Sequence, residues 1–95
     1  MKTFMLAFDD GNGDELDLGR FVEALDAGAQ IWTLDGHVCF VRSGLRVDEI
    51  TDRFLGMAGS RLFVIADVSA SAYSGRMVGE FWEFFKGRKV LSAAE

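Results

Sequence analysis

Proline is absent from this 95-residue chain, and cysteine occurs only once, as Cys39. A single cysteine excludes a disulfide framework within the chain and a zinc site built from cysteines. Long apolar runs are also missing. The run after Lys2 ends at Phe8, which makes it too short for a signal peptide or a membrane-spanning helix. We therefore expect a cytoplasmic protein with no membrane partner.

Positive charge is scarce as well. The chain has 10 basic and 15 acidic residues, a net charge of −5 and a pI near 4.7. Neutralisation of phosphates by cations supplies most non-specific affinity for nucleic acid, so this balance disfavours nucleic acid as a partner. What the chain does have is apolar residues, at 49% of the total with nine Phe and two Trp. This composition is typical of one compact domain, and we expect it to cover residues 1–95.

The hydrophobic pattern predicts seven elements. Short apolar runs that end at turn residues predict strands over residues 2–8, 30–34, 38–42 and 62–66. Apolar residues that recur every three or four positions predict helices over residues 17–28, 47–59 and 75–86. We expect Asp14 and Asp17 to cap the first helix and Ser74 to cap the last.

Asp35-Gly36, between the second and third strands, is a strong signal for a two-residue hairpin loop. Such a loop would pair Leu34 with His37, Thr33 with Val38 and Trp32 with Cys39. The order βαββαβ plus a final helix predicts an α+β fold. Specifically, we expect a ferredoxin-like sandwich of four antiparallel strands, with two helices on one face and an additional C-terminal helix.

The first strand is apolar on both faces, and the last helix carries more aromatic residues than one narrow stripe can bury. Exposed apolar patches of that kind usually mark protein interfaces. We therefore expect a two-fold homodimer with five interface residues: Phe4, Leu6, Phe81, Trp82 and Phe85. The alternative is a monomer in which the last helix covers the second face of the sheet.

Asp9 and Asp10 follow the first strand directly. Hard divalent cations prefer oxygen ligands, so this pair is a candidate Mg²⁺ site, with Asp9 also a candidate catalytic residue. The same residues equally suit a solvated acidic turn. His37, the only histidine, is a candidate general acid or base, although a histidine after a tight turn is more often a surface residue. Cys39, inside an apolar strand, is interpreted as a small buried hydrophobe.

Arg42 and Arg46 are candidate nucleic-acid contacts. Arg61 and the basic tail at Lys86, Arg88 and Lys89 are the other available cations. If the hairpin end, a loop and the tail converge in a dimer, these cations would form a groove for a single strand, with Trp32 or Tyr73 available for base stacking. Scattered solvated charges are the alternative interpretation.

A wider pattern includes Phe8-Asp9 at the end of the first strand, Trp32 to Asp35 at the hairpin, and Val47-Asp48-Glu49-Ile50 at the start of the second helix. Leu62-Phe63-Val64-Ile65 and Trp82 complete it. The pattern is degenerate, but it spans nearly the whole chain. It resembles the pattern of the bacterial SinR-type proteins. They belong to a ferredoxin-like group with the CRISPR-associated integration-adaptor nucleases and the VapD-type ribonucleases.

The resemblance implies a homodimer. It also admits Mg²⁺-assisted phosphodiester chemistry, because in the CRISPR-associated relatives an aspartate at the end of the first strand pairs with its dimer mate around a metal. Asp9 matches that position. The basic residues that hold nucleic acid in those relatives are not evident here, and Val38 stands where SinR-type sequences tend to have a Trp.

Three functional hypotheses follow. The preferred one is a dimeric interaction module of the SinR type that is not an enzyme, because no strong catalytic pattern is present. The second is a Mg²⁺-dependent endoribonuclease or nucleic-acid-binding protein with Asp9 as metal ligand. The third is a small-ligand-binding domain that uses the loop after the first strand.

Overall fold

The computed structural model describes residues 1–11, 15–70 and 74–86. The strands are β1 (Lys2–Phe8), β2 (Gln30–Thr33), β3 (Val38–Ser43) and β4 (Phe63–Asp67). The helices are α1 (Leu18–Glu23), α2 (Val47–Ala58) and α3 (Gly79–Phe85). The predicted α+β class and the predicted order of elements are confirmed. None of these helices is long and apolar enough to cross a membrane.

The four strands form one sheet in the order β2-β3-β1-β4, and every neighbouring pair is antiparallel. Strand β1 is central, with Leu6 opposite Cys39 on one side and Ile65 on the other. Since side chains alternate along a strand, Phe4 and Leu6 lie on one face of the sheet, and Met5 lies on the opposite face. We refer to these as the first face and the second face.

The hairpin between β2 and β3 has a loop one residue longer than predicted. Trp32 pairs with Phe40 and Thr33 with Cys39, so the predicted register is wrong by one position. The Asp35 carboxylate is the reason, because its Oδ1 accepts the N–H groups of His37 at 2.7 Å and Val38 at 3.1 Å. This side-chain turn closes a three-residue loop over residues 35–37. A one-residue shift changes the facing partner of every side chain in the pair, and here it places Trp32 beside Phe40 on the second face.

Helices α1 and α2 cover the first face and enclose the main core. Phe54 of α2 is fully buried among three other rings, with centroids 5.3 Å from Phe21, 5.8 Å from Phe8 and 4.7 Å from Phe63. Phe4 and Leu6 belong to the same core and are each only 1% exposed. Their expected place in a dimer interface is therefore wrong, because the helices of their own chain already cover them.

Helix α2 begins and ends as its sequence suggests. The Glu49 carboxylate accepts the Arg46 N–H at 2.9 Å, which satisfies a donor at the N-terminal end of the helix. Gly59 follows the last turn with a φ of 62°, a backbone conformation that favours glycine at this position.

Helix α1 is shorter than the predicted 17–28. Asp17 caps it as expected, with Oδ1 accepting the Arg20 N–H at 3.0 Å, whereas Asp14 lies outside the described residues. The helix ends early because Asp26 faces β3 instead. Its carboxylate accepts the Ser43 hydroxyl at 2.6 Å and the Gly44 N–H at 2.9 Å. The hydrogen bond from Ser43, the larger effect, and the bond from Gly44 lower the pKa of Asp26.

Helix α3 lies on the second face and is also shorter than predicted. Val78, not Ser74, is its N-cap residue. Phe81, Phe84 and Phe85 are buried and form a second cluster with the half-buried Trp32, Phe40, Val68, Met77 and Trp82. The aromatic surplus of the last helix is therefore largely buried within the chain. As with Phe4 and Leu6, the expected interface roles of Phe81 and Phe85 are corrected, since they are 2% and 7% exposed.

A polar clasp holds the C-terminal end of α3 to the sheet. The Phe85 carbonyl accepts a hydrogen bond from Thr3 Oγ1 at 2.8 Å and another from Arg42 Nη1 at 3.2 Å. Arg42 also donates to Thr3 Oγ1 at 2.5 Å and, through Nη2, to the Met1 carbonyl at 3.2 Å. A cation at a helix C-terminus is favourable because the last carbonyls carry partial negative charge. The clasp thus fixes where α3 crosses the second face.

Candidate functional site

Asp9 joins the end of β1 to the segment before β4. Its N–H donates to the Leu62 carbonyl at 3.0 Å. Its carboxylate accepts two backbone N–H groups, with Oδ1 3.0 Å from Gly11 N and Oδ2 3.2 Å from Leu62 N. Each oxygen therefore has a structural partner, as expected for a carboxylate that fixes a turn.

The structure brings Asp9, Asp10 and His37 together around one open cavity of about 240 Å³. Both aspartates are exposed at the end of β1, and His37 is exposed in the hairpin loop beside them. Backbone pairing causes this proximity, because the Phe8 N–H donates to the His37 carbonyl at 3.0 Å. The His37 ring also lies 6.4 Å from the Phe8 ring, at a tilt of 41°. The three candidate residues proposed from sequence therefore do share one site.

Arg61 also belongs to this site, although the sequence patterns did not place it there. It lines the same cavity and is only 8% exposed, and its Nη1 donates to the Ala58 carbonyl at 3.2 Å. Its side chain packs directly against Gly11, where a Cβ atom would lie 2.8 Å from Arg61 Cγ and Cζ. Gly11 also has a φ of 58°, so both space and backbone conformation favour glycine. A permanent cation therefore lies beside the carboxylates.

The described residues around this cavity do not fit a Mg²⁺ site well. Both Asp9 oxygens are engaged by backbone N–H groups, and the Arg61 guanidinium already places positive charge at the cavity. Among residues 1–11, 15–70 and 74–86, no three acidic, histidine or cysteine side chains are grouped as metal ligands. Since Mg²⁺ needs near-octahedral oxygen coordination, a metal here would require further ligands from outside this cluster.

The two candidate nucleic-acid contacts lie on opposite sides of the sheet, so a single chain does not bring them into one groove. Arg42 belongs to the clasp on α3, whereas Arg46 precedes α2 and pairs with Asp48, Nε to Oδ1 being 3.2 Å. Trp32 packs edge-on against Phe81 with centroids 5.5 Å apart and is half-buried. Tyr73, Arg88 and Lys89 lie outside the described residues.

Cys39 is fully buried, as its position in an apolar strand predicts. Burial raises the pKa of its thiol to about 12, because the interior disfavours the charged thiolate. The side chain therefore packs as a small apolar group and is not a nucleophile.

An uncovered apolar row crosses the second face next to Asp9. Helix α3 packs on Trp32 and Phe40 but leaves the next row of the sheet open, which we call the open row: Leu34, Val38, Ala7 and Val64. The two ends of the row are the most exposed, with Leu34 at 48% and Val64 at 58%. Leu62, opposite Asp9 on the edge segment, is 78% exposed. Exposed apolar side chains therefore lie at the hairpin and at the β4 edge, with half-buried Val38 and Ala7 between them, and Asp9 lies at the border of the row.

Comparison of the chain with protein-family models, with curated proteins and with solved structures gave no match. The features of the chain that bear on its function are the Asp9 cavity and the open row.

Proposed function

We propose that this protein is a dimeric interaction module whose two copies meet through the open row of the second face. We also propose that the fold is a ferredoxin-like βαββαβ sandwich with an added C-terminal helix, related to SinR-type proteins and acting in the cytoplasm. The strand order β2-β3-β1-β4, with antiparallel neighbours, supports that assignment. So does the placement of α1 and α2 on one face.

The open row is the observation that carries the proposal. A first face closed by two helices needs no partner. On the second face α3 packs over Trp32 and Phe40 and reaches β1 at Thr3, but the open row lies outside this cover. The open row lies beyond α3, with exposed Leu34 at its hairpin end and exposed Val64 on the edge strand β4. Contiguous exposed apolar surface at a sheet edge favours association with another chain. A two-fold contact satisfies it with identical surfaces from both copies.

The mass of the protein in solution tests this proposal. At tens of micromolar, light scattering should give twice the chain mass of 10.5 kDa, since an interface of this kind needs only a micromolar dissociation constant to be occupied. A mass of 10.5 kDa over the whole micromolar range would remove the dimer and leave a monomer with an open apolar face.

A second candidate function, a Mg²⁺-dependent ribonuclease-like activity with Asp9 as ligand, rests on one observation. Asp9, Asp10 and His37 line one cavity, and Asp9 borders the open row through its pairing with Leu62. A two-fold contact near that end of the row would bring a second Asp9 close. Arg61 and the engaged Asp9 oxygens count against this candidate, so we rank it below the interaction module.

We expect Asp9→Asn to leave RNA cleavage at background level, the same as wild type, and titration with Mg²⁺ or Mn²⁺ to release no binding heat. The Asn side chain keeps one oxygen that can accept a backbone N–H group, as Asp9 does from Gly11 and Leu62, and this limits the structural cost of the change. Asp52→Asn, an exposed site on α2, is the matched control. Metal-dependent cleavage by wild type and by Asp52→Asn, lost in Asp9→Asn, would instead establish the nuclease function.

A further inference from the structure

A cavity of about 350 Å³ lies between α3 and the second face, away from the Asp9 site. Its walls are largely apolar and rich in aromatic rings: Met5, Phe40, Val68, Phe81, Trp82 and Phe85. Ligand sites in proteins commonly occupy roughly 300–1,000 Å³ and combine apolar walls with a few polar groups. The volume therefore suits a small molecule of one or two rings.

The rings around the cavity are held in fixed positions by their own packing. Phe81 meets Phe40 edge-on with centroids 5.0 Å apart, and it meets Trp82 in the same way at 5.0 Å. The clasp of Arg42 and Thr3 on Phe85 fixes the far end of the helix. An aromatic guest would meet ring edges and faces already arranged for offset or edge-to-face contact. Little ordering of the protein is needed when it binds.

Arg76 supplies the polar recognition element. Among the described residues that line the cavity it is the one charged side chain, and it is exposed at the segment before α3. A guanidinium forms strong two-pronged hydrogen bonds with a carboxylate and also stacks on aromatic faces. No acidic side chain is among those described lining residues, so none of them would repel a bound anion.

We propose that this cavity binds a small aromatic monocarboxylate, with the ring system between α3 and the sheet and the carboxylate on Arg76. The cavity is complete in a single copy, because the described lining residues belong to one chain, although one of them, Leu34, also belongs to the open row. The proposal uses neither Asp9 nor the loop after β1.

Naphthoate is the probe for this proposal, and naphthylmethylamine, of similar shape but opposite charge, is the matched control ligand. Naphthoate should shift the backbone amide NMR signals of Met77, Phe81 and Val68 in a saturable way and leave those of Asp9 and Asp10 unchanged. Naphthylmethylamine should bind at least about tenfold more weakly, since the charge-assisted bond to Arg76 is replaced by repulsion.

Variants identify the cation. Arg76→Ala should weaken naphthoate binding about tenfold, and Arg76→Lys should restore part of that loss. Arg20→Ala, which removes an exposed arginine on the other side of the sheet, should bind like wild type. The proposal is wrong if naphthoate gives no saturable shifts, if the amine binds equally well, or if Arg76→Ala has no effect. Tighter binding of octanoate than of naphthoate would overturn the aromatic class.

Discussion

Phe54→Ala should lower the free energy of unfolding by about 3–5 kcal/mol, the range for removal of a fully buried phenylalanine. Phe54 contacts three other rings from β1, α1 and β4. The truncation therefore opens a cavity where three elements meet. A small domain has a total stability of roughly 5–15 kcal/mol, so this single change removes a large part of it.

Urea denaturation followed by far-UV circular dichroism measures this loss. Leu55→Ala is the matched control, because Leu55 is the next residue on α2 and is 58% exposed. It should change stability by less than about 0.5 kcal/mol. Equal effects of the two substitutions would contradict the placement of Phe54 at the centre of the core.

Phe81→Ala should detach α3 without unfolding the rest of the chain. Phe81 packs against Trp32, Phe40 and three aromatic residues of its own helix. The seven residues of α3 are too few to form a stable helix without that contact. The second cluster is also separate from the main core, so the damage should stay local.

Hydrogen exchange shows the difference residue by residue. In Phe81→Ala the Lys86 amide, which donates to the Trp82 carbonyl at 3.0 Å, should exchange at least about tenfold faster, while amides that pair β1 with β3 keep their protection. Glu80→Ala, one residue earlier and exposed, should exchange like wild type. Simultaneous loss of protection in α3 and in β1 would show that the two clusters unfold together, against this account.

The sequence predicted the elements well because most of them have a clear hydrophobic period. Alternation located β1, and the spacing of Ile50 and Phe54 with Gly59 behind them located α2. The hairpin register was missed, because the side-chain turn of Asp35 outweighs the ordinary preference of an Asp-Gly pair for a two-residue loop. Helix α1 was overestimated for a similar reason, since Asp26 bonds to Ser43 rather than continuing the helix.

The interface expectation failed for Phe4 and Leu6 because β1 is apolar on both faces. Alternation reveals two apolar faces but not which one the helices cover, and only the tertiary structure decides between them. At the candidate site, the pairing of β1 with β3 brings Asp9 and His37 together, because both residues lie just beyond the paired ends of those strands. Arg61 was missed as a member of that site because no sequence spacing links it to Asp9. The one local signal was Gly11, whose conformation and lack of a side chain make room for the guanidinium.

The central claim is that the open row of the second face joins two copies of the chain. Val64→Glu places a charge in that row, and Leu55→Glu places the same charge on an equally exposed part of α2, with each side chain 58% exposed in wild type. Sedimentation equilibrium at tens of micromolar should give wild type and Leu55→Glu at twice 10.5 kDa. It should give Val64→Glu at 10.5 kDa, with an unchanged circular dichroism spectrum. A Val64→Glu protein that stays as associated as Leu55→Glu, or a wild type that is monomeric throughout, would contradict the account.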